Sequence, residues 1–106
     1  MSFDFSFTHF DRPVAFAGFL FAGRIAKFTS ATFSVGLTGF RSATFEEHAS
    51  FEKATFLREA RFDSAKFLSY STFAFAKFKH RHYLFIYFPF AVTLRVASVR
   101  RARVDA

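Results

Sequence analysis

Phenylalanine falls on a regular beat along the chain. Starting at Phe5, it returns at Phe10, Phe16, Phe21, Phe28, Phe33, Phe40, Phe45, Phe51, Phe56, Phe62, Phe67, Phe73 and Phe78, in steps of five alternating with steps of six or seven. Two places before each stands an uncharged residue, in order Phe3, Thr8, Val14, Phe19, Ala26, Ala31, Thr38, Ala43, Ala49, Ala54, Ala60, Ala65, Ser71 and Ala76. Polar residues fill the places between and after, as with Thr44 then Glu46-Glu47, or Arg61 then Asp63-Ser64. On an α-helix, at about 100° per residue, the small residue would lie roughly 200° from its Phe, and the next Phe about 140° round. Apolar groups would then circle the rod and leave no polar face. In an extended segment residues i and i+2 share a side, so the pair points inward together and the residue between points out. Thr, Ser, Lys and Arg at that middle place suit an exposed strand position. The pattern predicts short inward strand segments joined by polar corners, and such pieces close into a coil instead of a flat sheet.

Four segments carry a specific resemblance: Ala-Thr-Phe-Glu-Glu (43–47), Ala-Thr-Phe-Leu-Arg (54–58), Ala-Arg-Phe-Asp-Ser (60–64) and Ala-Lys-Phe-Leu-Ser (65–69). They look like pentapeptide repeats, a family in which a small residue, usually Ala, stands two places before a central Leu or Phe. The resemblance runs from Phe3 to Phe78. It implies an all-β fold, a right-handed quadrilateral parallel β-helix with four repeats per coil, here followed by a short non-repeat C-terminal tail. Three features depart from the family's usual form. Thr, Ser, Lys or Arg often replaces Asp or Asn between the small and central residues, and the central residue is always Phe instead of the commoner Leu. Every second step is also lengthened, as at His48, Glu59 and Tyr70, which resembles a Phe-rich subgroup with alternating spacing. Coils of about 22 residues with bulged corners follow.

With four steps per coil, the predicted ring columns are Phe5/Phe28/Phe51/Phe73, Phe10/Phe33/Phe56/Phe78, Phe16/Phe40/Phe62 and Phe21/Phe45/Phe67. Coils about 4.8 Å apart suit offset ring stacking, with room made by the small residue beside each ring. Phe3 and Phe19 occupy the small-residue place. Phe7, Phe75, Phe85, Phe88 and Phe90 fall outside the beat. Because each coil buries its face only against its neighbours, stability adds along the axis and the ends need covering.

The beat divides the chain into a repeat region, 1–78, and a basic, aromatic tail, 79–106. Lys79-His80-Arg81-His82 leads into Tyr-Leu-Phe-Ile-Tyr-Phe-Pro-Phe-Ala-Val-Thr-Leu (83–94). The longest apolar reading, 83–99, contains Pro89 and Arg95 and falls short of the ~20 residues of a membrane span. Four readings of the tail stay open: a cap on the coil's end, a homodimer contact, a membrane-surface segment, or unrelated sequence after an interrupted gene. In relatives of the family a C-terminal element serves dimerisation, which favours cap or dimer.

Composition enters through phenylalanine and charge. The chain of 106 residues has 21 Phe, three Tyr and no Trp, so one residue type is being placed by rule. It has no cysteine, which excludes a disulfide framework, a thiol nucleophile and a thiolate metal site. No basic stretch precedes an apolar block at the start, so no signal peptide is read and a cytoplasmic address is expected. The net charge is +7. Nine Lys/Arg face seven Asp/Glu up to Phe78, and six face Asp105 beyond it, so most of the excess belongs to the tail.

Catalytic patterns are missing. Gly18, Gly23, Gly36 and Gly39 form neither a phosphate loop nor a dinucleotide fingerprint. Glu46, Glu47 and Glu52 fall on predicted outer corners, where a carboxylate pair is solvated. His80 and His82 would share one side of a strand, with no Cys or carboxylate close by, and read as linker. No catalytic residue, cofactor or metal is expected. The resemblance implies a non-enzymatic scaffold for protein–protein interaction. The candidate contacts are the outward apolar Leu57, Leu68 and Phe75, which fall toward the tail end, together with Phe85, Phe88, Phe90, Arg100, Arg101 and Arg103 of the tail. The alternative is attachment of the tail to a membrane surface or nucleic acid. A third reading, from relatives that imitate DNA and bind a type II topoisomerase such as gyrase, needs an acidic surface that this net-positive repeat lacks.

Overall fold

The computed structural model describes residues 2–79 and the strand segments His82–Tyr83, Ile86–Tyr87 and Val96–Ser98; the tail candidates Phe85, Phe88, Phe90, Arg100, Arg101 and Arg103 lie outside the described residues. The strands form four parallel sheets, the sides of a β-solenoid. The first face holds Ser2–Asp4, Ile25–Lys27, Ala49–Ser50 and Ser71–Thr72. The second holds His9–Phe10, Thr32–Phe33, Thr55–Phe56, Ala76–Phe78 and Val96–Ser98. Val14–Ala15, Thr38–Gly39, Ala60–Arg61 and His82–Tyr83 build the third, and Leu20–Phe21, Thr44–Phe45, Ala65–Phe67 and Ile86–Tyr87 the fourth. The first four coils visit the faces in that order and give one strand to each.

The register sets Phe over Phe: Phe10 pairs with Phe33, Phe33 with Phe56, Phe56 with Phe78, Phe21 with Phe45, and Phe45 with Phe67. Parallel pairing continues beyond the last repeat Phe, with Ala60 opposite His82, Ala65 opposite Ile86, and Ala76 opposite Val96 beside a bulge.

All four predicted columns form. In the body of the solenoid the rings lie nearly parallel, from 4.6 Å between centroids for Phe21–Phe45 to 5.0 Å for Phe51–Phe73. That exceeds the contact distance of ~3.5–4.0 Å between carbons, so the rings are slipped, the arrangement their quadrupoles prefer. Rings of the first and third faces also meet edge-on across the axis, Phe28 against Phe40 at 5.3 Å and Phe51 against Phe62 at 5.2 Å. The Ala two places before each ring is buried from Ala26 onward. Its single methyl lets the ring of the neighbouring face into the space beside it.

The first coil departs from this. Phe3, Phe5, Phe10 and Phe16 are half-buried, and the outermost stacks open to 15° for Phe5–Phe28 and 20° for Phe16–Phe40. Phe19, in a small-residue place expected to face inward, stays 40% exposed. A phenyl group does not fit where Ala fits, and this one lies edge-on against Phe3, Phe16 and Phe21 instead.

Candidate interaction surface

The corners decide which side chains reach solvent. After every ring of the first and third faces the chain makes one tight turn. The N–H three residues on donates to the ring residue's own carbonyl, as from Ala31 to Phe28 and Ala54 to Phe51, both at 3.1 Å. The residue two places past the ring is left-handed at each: Phe7, Gly18, Ser30, Ser42, Lys53, Ser64 and Phe75, with φ between 58° and 70°. A four-residue turn with a left-handed third residue is type II-like, and that position favours Gly or Asn. The longer corners, after the second and fourth faces, absorb the extra residues. Two of them carry left-handed Gly23 and Gly36.

Phe7 and Phe75, which fall off the Phe beat, therefore occupy a repeat position of their own. Both sit at the corner between the first and second faces, in one file with Ser30 and Lys53. The file is tied coil to coil by Phe7 N–H to Thr29 carbonyl (2.9 Å), Ser30 N–H to Glu52 carbonyl (2.8 Å) and Lys53 N–H to Ala74 carbonyl (2.9 Å). Phe7 is 78% exposed and Phe75 50% exposed. A left-handed backbone costs an L-residue about 1–2 kcal/mol relative to glycine, and for a bulky side chain it is a true outlier.

Leu57, Leu68 and Phe75 do not form one patch. They share the later coils, but each belongs to a different corner. Leu57 and Leu68 directly follow rings of the second and fourth faces, their N–H groups bonded to the carbonyls of Phe33 (2.9 Å) and Phe45 (3.0 Å) in the coil before. Leu57 is 38% exposed, and Leu68 is half-buried. At the corner between the second and third faces, Leu57 joins exposed Val35 and Leu37 of the previous coil and Pro13 of the first. That ridge is flanked by exposed Arg12 and Arg58. Residue-type reasoning missed it, because Val35 and Leu37 sit in a lengthened step where inward and outward cannot be told from spacing. Phe7 was legible in principle: Gly18 marks the same place in the other tight corner.

Four charged residues, Arg41, Glu59, Arg61 and Asp63, pair along the third face. Arg61 holds Asp63 through both carboxylate oxygens, Nε to Oδ1 at 3.0 Å and the second amino group to Oδ2 at 3.2 Å. Arg41 of the preceding coil reaches the same carboxylate at 3.1 Å, and Glu59 lies 3.8 Å from Arg61. Burial pushes the Asp63 carboxyl up, but the Arg61 hydrogen bond, its own backbone N–H and the Arg61 and Arg41 charges outweigh it and hold it below the usual aspartate range. Glu46, Glu47 and Glu52 lie at corners as expected, with Glu46 accepting the Gly23 N–H at 2.9 Å. Among the described residues no group of three or more His, Asp or Glu could hold a metal ion, and no helix is long and apolar enough to cross a membrane.

No family model, curated protein or solved structure matches the chain.

Proposed function

We propose that the chain is a pentapeptide-repeat solenoid serving in the cytoplasm as a non-enzymatic scaffold for a protein partner. The observation that carries the reading is the file Phe7–Ser30–Lys53–Phe75. Two phenyl rings are held out to solvent at backbone positions that disfavour them, on a framework whose stacked core keeps their spacing fixed. Aromatic side chains on a rigid support lose little entropy on binding and are typical anchors of protein interfaces. Coils stepping by about 4.8 Å put the two rings about 14 Å apart along the axis, with the Lys53 ammonium between them. A partner with two apolar pockets and an acidic group between them fits that file. The Asp63 and Glu59 pairing with Arg41 and Arg61 supports a scaffold over a DNA mimic, since those acids are already neutralised within the chain.

The test replaces Phe7 and Phe75 with Gly, which suits the left-handed backbone. Thermal stability holds or rises by up to about 1 kcal/mol, because relief of the backbone opposes the greater freedom of Gly in the unfolded chain. In affinity capture with the full chain, a partner retained by the wild type and lost by Phe7→Gly/Phe75→Gly supports the scaffold. A partner set unchanged by the double substitution, or no partner at all, overturns it.

A further inference from the structure

The first coil presents an end unlike any other part of the surface. Its four strands, Ser2–Asp4, His9–Phe10, Val14–Ala15 and Leu20–Phe21, are each the outermost in their sheet. In a parallel ladder alternate residues direct both backbone groups to the same neighbour. Val14, Phe16 and Gly18 donate to Leu37, Gly39 and Arg41 of the second coil. The N–H and C=O groups of the intervening Ala15, and the C=O of Ala17, therefore point along the axis, away from the solenoid. On the fourth face Phe19 and Phe21 accept from Thr44 and Glu46, which leaves Leu20 pointing the same way as Ala15.

The four sides of this end are not equally protected. On the first face Asp4 places a carboxylate at the edge, where it accepts the Ser6 N–H at 3.0 Å. The second face runs into Asp11, Arg12 and Pro13, which carry charge and remove a donor. From Pro13 to Gly23 the sequence is Pro-Val-Ala-Phe-Ala-Gly-Phe-Leu-Phe-Ala-Gly, without one polar side chain. The third and fourth faces thus end in open, uncharged strand edges beside half-buried Phe16 and exposed Phe19. Soluble proteins guard such edges with Lys, Pro or a covering element.

We infer that this end is the contact of a homodimer, in which two copies meet head to head about a two-fold axis. Strands 14–15 and 20–21 then run antiparallel to the partner's, and the first-coil ring tiers close on each other. Charge selects a second copy. Residues 2–24 carry Asp4 and Asp11 against Arg12 and Arg24, a net charge of zero, so two identical ends meet without repulsion. The opposite end carries the tail, whose six Lys/Arg against one Asp repel a second tail. A two-fold contact is closed and buries both ends at once, where a head-to-tail contact would leave an edge open and grow into a fibre.

The experiment is light scattering coupled to size exclusion on the full chain over a range of concentrations. The wild type is expected at twice the 12.2 kDa chain mass, dissociating on dilution. Ala15→Lys/Leu20→Lys places charges on the open edges at solvent-exposed positions and yields monomer. Leu57→Lys/Leu68→Lys, which adds the same charge elsewhere, leaves the dimer. Amide exchange on the wild type supplies a reading that needs no substitution: protection at Ala15 and Leu20 rises with protein concentration. A wild type monomeric throughout overturns the inference. So does a dimer that survives Ala15→Lys/Leu20→Lys, one lost in Leu57→Lys/Leu68→Lys, or exchange at those amides independent of concentration.

Discussion

Replacing Phe56 with Ala, set against the same change at Phe5, measures how much of the solenoid's stability lies in its ring columns. Phe56 is fully buried, stacked on Phe33 at 4.8 Å and Phe78 at 4.7 Å, edge-on to Phe62 at 5.8 Å and tilted against Phe51 at 6.3 Å. Removing a buried phenyl group costs about 3–5 kcal/mol, more where the surroundings cannot collapse into the space. Here hydrogen-bonded backbone on every face holds the cavity open, so Phe56→Ala falls in the upper half of that range. Phe5 is half-buried and has a stacking partner on one side only, Phe28 at 5.1 Å. Full burial of such a side chain is worth about 1.5–3 kcal/mol, so partial burial puts Phe5→Ala at about 1–2 kcal/mol. The gap between the variants is about 2 kcal/mol or more, a difference in melting temperature of roughly 8 °C or more for a domain near this size. Thermal melts followed by circular dichroism, with denaturant titrations to check that the slope is unchanged, measure both. Equal and small losses at the two positions would refute a core in which each ring is held by those above and below it.

Two further predictions concern the corners and the ion pairs. Gly18 and Gly36 are both left-handed, but a Cβ at Gly36 would lie 2.8 Å from Pro13 Cγ, whereas one at Gly18 would meet nothing within 4 Å. Gly18→Ala is expected to cost about 1 kcal/mol from the backbone alone, and Gly36→Ala about 1–3 kcal/mol more, part of it recovered by adding Pro13→Ala; equal losses in denaturant titrations would show that the proline does not pack there. Asp63, with its acidity strengthened in the folded chain, contributes stability that is complete above the unfolded aspartate value near 3.9 and is lost as pH falls through its lower folded value. Asp63→Asn is expected to lower stability at neutral pH by about 1 kcal/mol and to flatten the decline below pH 4. A wild-type and variant profile that remain parallel through the acid range would count against the pairing.

The faces, the columns and the inward assignment were legible in the sequence because strand period and repeat period reinforce each other: Ala54 and Phe56 point in, Thr55 points out, and every coil repeats the choice. What was not legible follows from where that reinforcement fails. In the lengthened steps an added residue breaks the alternation, so the outward placing of Val35 and Leu37 cannot be read from spacing. Phe7 and Phe75 stand out in the sequence as rings off the beat, but the corner they share does not. Their place is defined by backbone handedness, and hydrophobicity carries no information about it; only Gly18 gives the position away. Phe19 shows the third limit, since its place in the repeat specifies an inward side chain while its size and its position in the first coil leave it half outside. Leu57, Leu68 and Phe75 share the later coils but stand at three different corners, because closeness along the axis says nothing about angle around it.

The alternation of tight and long corners also restricts how such a gene can change length. Losing a single step would give each later residue the place of its neighbour around the square, putting bulged corners where left-handed turns belong and mismatching every column downstream. Losing two steps keeps the corner types in phase but exchanges the first face with the third and the second with the fourth. Losing four restores all of it, because each ring then finds an equivalent ring below. Insertions and deletions that leave a folded product are therefore quantised in whole coils, and recombination between any two coils of this chain yields a shorter or longer prism built on the same four columns.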